Sequence, residues 1–188
     1  NFRRDSYLNL NGEWDFLTIK KGDLEKHKIL VPFPPESLLS GVNLRFENDT
    51  LLCYATRFIL PEGFNKGKVL LNFEAVDGET RVYINDLPAG EHTGGYTPFT
   101  FDITELLQDG ENTLKVTVSD NLHPDFPYGK QRRNRGGMWY TEVSGIWQSV
   151  WIESLPEKPI LSMKLHQSSS EICFEVFTEA EEKKLTIN

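Results

Sequence analysis

The chain has 188 residues, with 28 acidic against 20 basic side chains and a formal net charge of −8. That balance argues against a nucleic-acid or anionic-membrane partner, since both need a basic surface to neutralise phosphates. The length suits one β-sandwich with a short appendage, and no apolar run approaches the roughly 20 residues that span a bilayer, so a soluble protein is expected.

The opening Asn1-Phe2-Arg3-Arg4-Asp5-Ser6 has no apolar stretch of the secretory kind and no initiator Met, which leaves bacterial cytoplasm and periplasm both open as the compartment. Asn11-Gly12 gives a tight-turn signal ahead of Trp14 and Phe16. Val31-Pro32-Phe33-Pro34-Pro35 reads as a loop between strands. Tyr54, Thr56 and Phe58 then alternate with Cys53, Ala55 and Arg57. Val69, Leu71 and Phe73 fall on one face of a strand, as do Leu114, Val116 and Val118 further on. This period of two is that of half-buried strands.

Arg81-Val82-Tyr83-Ile84 runs into Asn85-Asp86, a pair that tolerates positive φ, and so predicts a hairpin to Leu87-Pro88-Ala89-Gly90. One short helical turn is expected at Asp102–Leu107, with Asp102 as cap and Glu105 in the reciprocal position. Ile146, Val150 and Ile152 occupy one face of a strand whose other face carries Trp147 and Trp151, which predicts a strand covered on both sides. Two prolines at Leu155-Pro156-Glu157-Lys158-Pro159 end that strand. Ile160–His166 and Ile172–Phe177 read as further strands, too few to bury a core alone.

The long segment Asp120–Tyr140 mixes polar, proline and aromatic residues, the composition of a loop that is either functional or disordered. Within it Tyr128, Trp139 and Tyr140 are candidates to stack on a ligand, and Lys130-Gln131-Arg132-Arg133-Asn134-Arg135 is a cationic run. Through Arg132 and Arg135 that run could hold an anion by forked hydrogen bonds; a solvated loop or a subunit contact is the plainer reading. The acids Asp102, Glu105, Asp109 and Glu111 read as solvated surface. His27, His92, His123 and His166 show no metal spacing, so neither a metal nor another cofactor is expected, and His92, just before Gly94-Gly95, reads as a turn histidine. Cys53 and Cys173 read as reduced residues inside strands.

Three motifs together, Leu10-Asn11-Gly12-Glu13-Trp14-Asp15-Phe16, Gly94-Gly95-Tyr96-Thr97-Pro98-Phe99 and Met138-Trp139-Tyr140-Thr141-Glu142-Val143-Ser144-Gly145-Ile146-Trp147-Gln148, resemble the N-terminal sugar-binding domain of glycoside hydrolase family 2. The resemblance spans about four-fifths of the chain. It implies an all-β, jelly-roll (galactose-binding-domain-like) sandwich over residues 1–156, followed over 157–188 by the first strands of an immunoglobulin-like domain, as in a piece of a longer enzyme. Partners would then be a β-linked carbohydrate, the catalytic barrel of the same polypeptide and a second copy of the chain.

Retaining hydrolysis needs two carboxyl groups roughly 5 Å apart. In that family both are barrel glutamates, one directly after an Asn, and this chain contains no Asn-Glu step. It is therefore expected to hydrolyse nothing alone. The family's β-galactosidases and β-glucuronidases place an aspartate about six residues before the Gly-Ile step, where this chain has Trp139; Asp125 and Glu142 are the nearby acids. The same residues are open to two other readings, a stand-alone carbohydrate-binding module docking sugar on Tyr128, Trp139 and Tyr140, and a purely structural domain.

Overall fold

A computed structural model describes residues 4–121, 127–134 and 136–178. In chain order the strands are β1 (Tyr7–Asn9), β2 (Gly12–Lys20), β3 (Asp23–Val31), β4 (Leu51–Ile59), β5 (Gly67–Phe73), β6 (Val76–Asp77), β7 (Glu79–Ile84), β8 (Leu87–Thr93), β9 (Phe99–Asp102), β10 (Glu111–Ser119), β11 (Gly145–Ile146), β12 (Val150–Pro156), β13 (Ile160–Gln167) and β14 (Ile172–Thr178). The fold is an all-β sandwich. One sheet has the order β1-β12-β5-β9 and the other β3-β2-β4-β10-β7-β8, every pairing antiparallel.

The alternation read from the sequence decides which side chains fill the space between the sheets. Val69, Leu71 and Phe73 from β5, Leu114, Val116 and Val118 from β10, and Val150 and Ile152 from β12 are all buried there. Trp14 and Phe16 of β2 meet Tyr54 of β4 in the same layer, with the Phe16 and Tyr54 ring centroids 4.8 Å apart. The Trp14 indole satisfies its one donor by giving it to the carbonyl of Leu10 at 2.8 Å. The β7–β8 hairpin turns on Asn85 (φ 52°) and Asp86 (φ 66°), the two positive φ angles that a two-residue turn of matching twist requires.

Four local expectations differ from what forms. Asn11-Gly12 is a crossing between sheets, because β1 pairs β12 while β2 pairs β3 and β4; the hairpin turn nearby is Lys21-Gly22. The helical turn near Asp102 is a 3₁₀ turn at Thr104–Leu106, in which Asp102 accepts from the Thr104 amide and hydroxyl, and Glu105 closes no reciprocal box. A second 3₁₀ turn, Leu38–Ser40, is capped by Ser37. Trp147 and Trp151 do not share a strand, since the chain breaks at residues 147–149 between β11, which pairs β6, and β12, which pairs β5. His92 lies within β8 rather than in a turn, its ring stacked on Phe99 at 4.0 Å.

Beyond Pro156, β13 and β14 form a separate antiparallel pair. Cys53 and Cys173 are both free, on β4 and β14.

Candidate functional site

Three segments meet at one end of the sandwich: the β6–β7 corner, the Gly94–Pro98 loop and the chain between β10 and β11. Glycines allow the approach. At Gly78 (φ 115°) a Cβ would come within 2.7 Å of the Ser119 carbonyl oxygen. At Gly95 a Cβ would strike the Asp77 carboxyl, and at Gly145 (φ 69°) it would strike the Tyr54 hydroxyl. These are close backbone approaches that only glycine fits. The Trp147 indole N–H then donates to the Gly95 carbonyl at 2.9 Å, and Tyr96 sits edge-on to the Trp147 ring at 6.2 Å. The Gly-Gly-Tyr and Ser-Gly-Ile-Trp segments are thus one locked unit.

The loop preceding β11 hangs on Gln131, which is buried. Its Oε1 accepts from the Val143 amide at 2.5 Å, and its amide nitrogen lies 3.2 Å from both Asp77 Oδ2 and the Tyr96 hydroxyl. Beyond it the chain closes on itself, the Tyr140 amide donating to Lys130 O at 2.8 Å and the Arg132 amide to Tyr140 O at 3.0 Å. The Arg132 guanidinium lies 3.6 Å over the Trp139 ring, a cation–π contact. Met138 and Tyr140 stand exposed at 63% and 64% on this arm.

Four carboxyl groups surround the base of the arm. Burial pushes Glu36 up to about 7, although both of its oxygens accept from Ser144, from the hydroxyl at 2.8 Å and the amide at 3.2 Å. Burial, then the neighbouring charge of Asp77, pushes Asp120 up to about 6. Asp77 is raised by burial as well, and burial raises the Tyr54 phenol strongly. Glu142 is buried with the Arg133 Nε at 3.4 Å. All four acids interact with donors of the loop itself, so they hold it rather than offer a free pair for acid/base work. Among the described residues no group of three His, Cys, Asp or Glu side chains could hold a metal ion.

A cavity of about 340 Å³ opens beside the arm, lined by Asp77, Glu79, Thr93, Ser119, Asp120 and Tyr128 among others. That is at the lower end of the range of small-ligand pockets. Of the residues singled out by sequence, Tyr128 lines this cavity, while Trp139, Tyr140 and Arg132 lie together on the arm. Asp125 and Arg135 lie outside the described residues. Arg132 faces an indole, and Arg133 pairs with Glu142 and donates to the Asn48 side chain, so both described arginines of the run have partners on the protein while remaining exposed. Sequence reasoning passed over Glu36, Asp77 and Gln131. Gln131 sat inside a charged run and Glu36 inside a proline loop, where no periodicity marks a buried polar residue; the glycine pair at 94–95 was the one available hint of a close approach over Asp77.

Residues 35–156 match the family model described as glycosyl hydrolases family 2, sugar binding domain. The chain is 36% identical over 185 residues to a β-galactosidase of Thermoanaerobacter pseudethanolicus, the match covering 88% of this chain and 24% of that protein. It is 31% identical over 107 residues to a β-glucuronidase of Formosa agariphila, covering 54% of this chain and 10% of the other. The chain therefore spans a quarter or less of these relatives. Among solved structures, an uncultured Clostridium sp. β-glucuronidase superposes with a TM-score of 0.74 at 25% identity, over 97% of this chain and 35% of that one. A β-D-mannosidase from Dictyoglomus thermophilum shares the fold, with a TM-score of 0.66 at 23% identity over 94% of this chain and 26% of the other.

Proposed function

The chain belongs to glycosyl hydrolase family 2, through that family's sugar binding domain, and from this premise we propose that it is the non-catalytic N-terminal domain of a retaining exo-β-glycosidase of the β-galactosidase kind. In that enzyme it buttresses the catalytic barrel and helps to shape the substrate pocket. The observation that carries this reading is the arm of Met138, Trp139 and Tyr140, aromatic and largely exposed at its tip yet fixed at its base by Gln131 and Glu36. A rigid base with an apolar tip is what positioning a sugar ring beside another domain requires, because residues that move by an ångström position nothing.

The apolar face of the β13–β14 pair supports the two-domain arrangement, with a second, immunoglobulin-like domain starting at residue 157. Met163 faces Val176 and Leu165 faces Phe174, and Met163, Leu165 and Phe174 are exposed. Two strands cannot bury such a face by themselves.

Aryl β-glycoside hydrolysis tests the proposal. The purified 188-residue chain should give no turnover, while the chain joined to the sequence encoded after Asn188 should hydrolyse a β-galactoside with retention of anomeric configuration. Sustained turnover by the chain alone, or inversion by the longer protein, would overturn it.

A further inference from the structure

The solvent face of the six-stranded sheet is not flat. Cross-strand register sets Leu51, Ser119, Glu79 and Thr93 in one row across β4, β10, β7 and β8, and Cys53, Thr117, Arg81 and Glu91 in the next. The even-numbered partners of these residues, such as Leu52, Val82 and Val118, point into the core. Over the rows lies a second cavity of about 270 Å³. It shares Glu79, Thr93 and Ser119 with the 340 Å³ cavity beside the arm. The two therefore join into one trough, which crosses four strands, roughly 14 Å at about 4.8 Å per strand, and rounds the sheet end to reach Tyr128.

We propose that this trough is a carbohydrate site of its own, separate from the Trp139 and Tyr140 arm, and that it takes a neutral β-linked oligosaccharide. The proposal rests on the reading of this domain as sugar-binding and adds the site and the ligand class. The hydroxyls of Thr93, Thr117 and Ser119 and the amide of Asn121 both donate and accept, and the Glu79, Asp77 and Asp120 carboxyls accept from sugar hydroxyls. Leu51 and Tyr128 give apolar surface toward its two ends. Arg81, the lone cation among the described lining residues, is held by Glu91 with Nε and Oε1 3.0 Å apart. An anionic sugar would meet unbalanced negative charge, so uronates are excluded by repulsion rather than by shape. The length of the trough makes affinity depend on the number of rings, which a single stacking residue would not do.

Calorimetric titration of the 188-residue chain with galactose, β-1,4-galactotriose and a glucuronate-terminated disaccharide tests this. Expected are saturable galactotriose binding at least about tenfold tighter than galactose, no uronate binding, and a loss of about tenfold or more in Thr93→Trp or Thr117→Trp. Thr93 is exposed on an edge strand, so its variant serves if Thr117→Trp does not fold, as judged by its thermal unfolding. Loss of binding in Tyr140→Ala with both trough variants unaffected would overturn the trough and uphold the arm. Absence of saturable binding, or uronate binding as tight as neutral sugar, overturns the trough and leaves the buttress role to the kinetics of the longer protein.

Discussion

A methyl group at position 145 would meet the Tyr54 hydroxyl on a backbone already at φ 69°. Gly145→Ala should therefore cost at least about 2 kcal/mol, the sum of a left-handed conformation and an overlap. Adding Tyr54→Phe should recover part of this, since it removes the hydroxyl but not the backbone strain; urea unfolding of the single and double variants measures both parts, and full additivity would contradict the contact. Glu36 is the pH-sensitive residue of the same seat. Its folded pKa is raised from 4.5 to about 7, so the stability it contributes is fully present below about pH 4.5 and is lost as pH rises through 7, by up to about 3 kcal/mol. Asp120, raised to about 6, adds a slope of the same sign. Glu36→Gln should flatten the fall in melting temperature across that window relative to the parent chain, and an unchanged slope would show that Glu36 titrates normally.

The elements divide by how much of their cause is local. The β7–β8 hairpin was legible because Asn85-Asp86 holds its turn by two positive φ angles. The β5 and β10 faces were legible because alternation alone decides them. Asn11-Gly12 carries the same local signal as a hairpin turn, yet it crosses between sheets, because β1 finds its partner some 140 residues later in β12. The break between β11 and β12 was equally hidden, since Ile146, Val150 and Ile152 keep the parity of an unbroken strand while pairing into two sheets. The loop element depends on Gln131, whose three partners come from three separate segments. Gln131→Ala should leave the Asp77 carboxyl and the Val143 amide short of partners, at a cost of about 1–3 kcal/mol. Hydrogen exchange should rise around residues 128–143 while the β5 and β10 amides stay protected; uniform exchange would mean that the loop is not a separate unit.

At the scale of the whole molecule, the buried core lies in the sandwich, and the apolar residues Met163, Leu165 and Phe174 of the β13–β14 pair stand exposed outside it. The pair touches the sandwich through the Arg4 guanidinium, which donates to Ile160 O at 2.8 Å, and its apolar face contributes little to the sandwich core. Leu165→Ser with Phe174→Ser should raise the solubility of the chain and shift the sandwich's unfolding free energy by less than about 0.5 kcal/mol; a larger loss would place that face inside the sandwich's cooperative unit. The motifs that carried the family resemblance are the segments the structure locks together, with Trp147 bonded to Gly95. The buried acids beneath them had no pattern in the sequence because burial of a lone polar residue is decided by distant segments. The central claim, that the arm positions sugar for a catalytic barrel, is tested most directly by the steady-state kinetics of the longer protein, this chain joined to the sequence encoded after Asn188, in parent form and with Trp139→Ala and Tyr140→Ala together. A KM for an aryl β-galactoside at least about tenfold higher, with kcat largely kept, is the expected loss of substrate binding; an unchanged KM and kcat would contradict the claim.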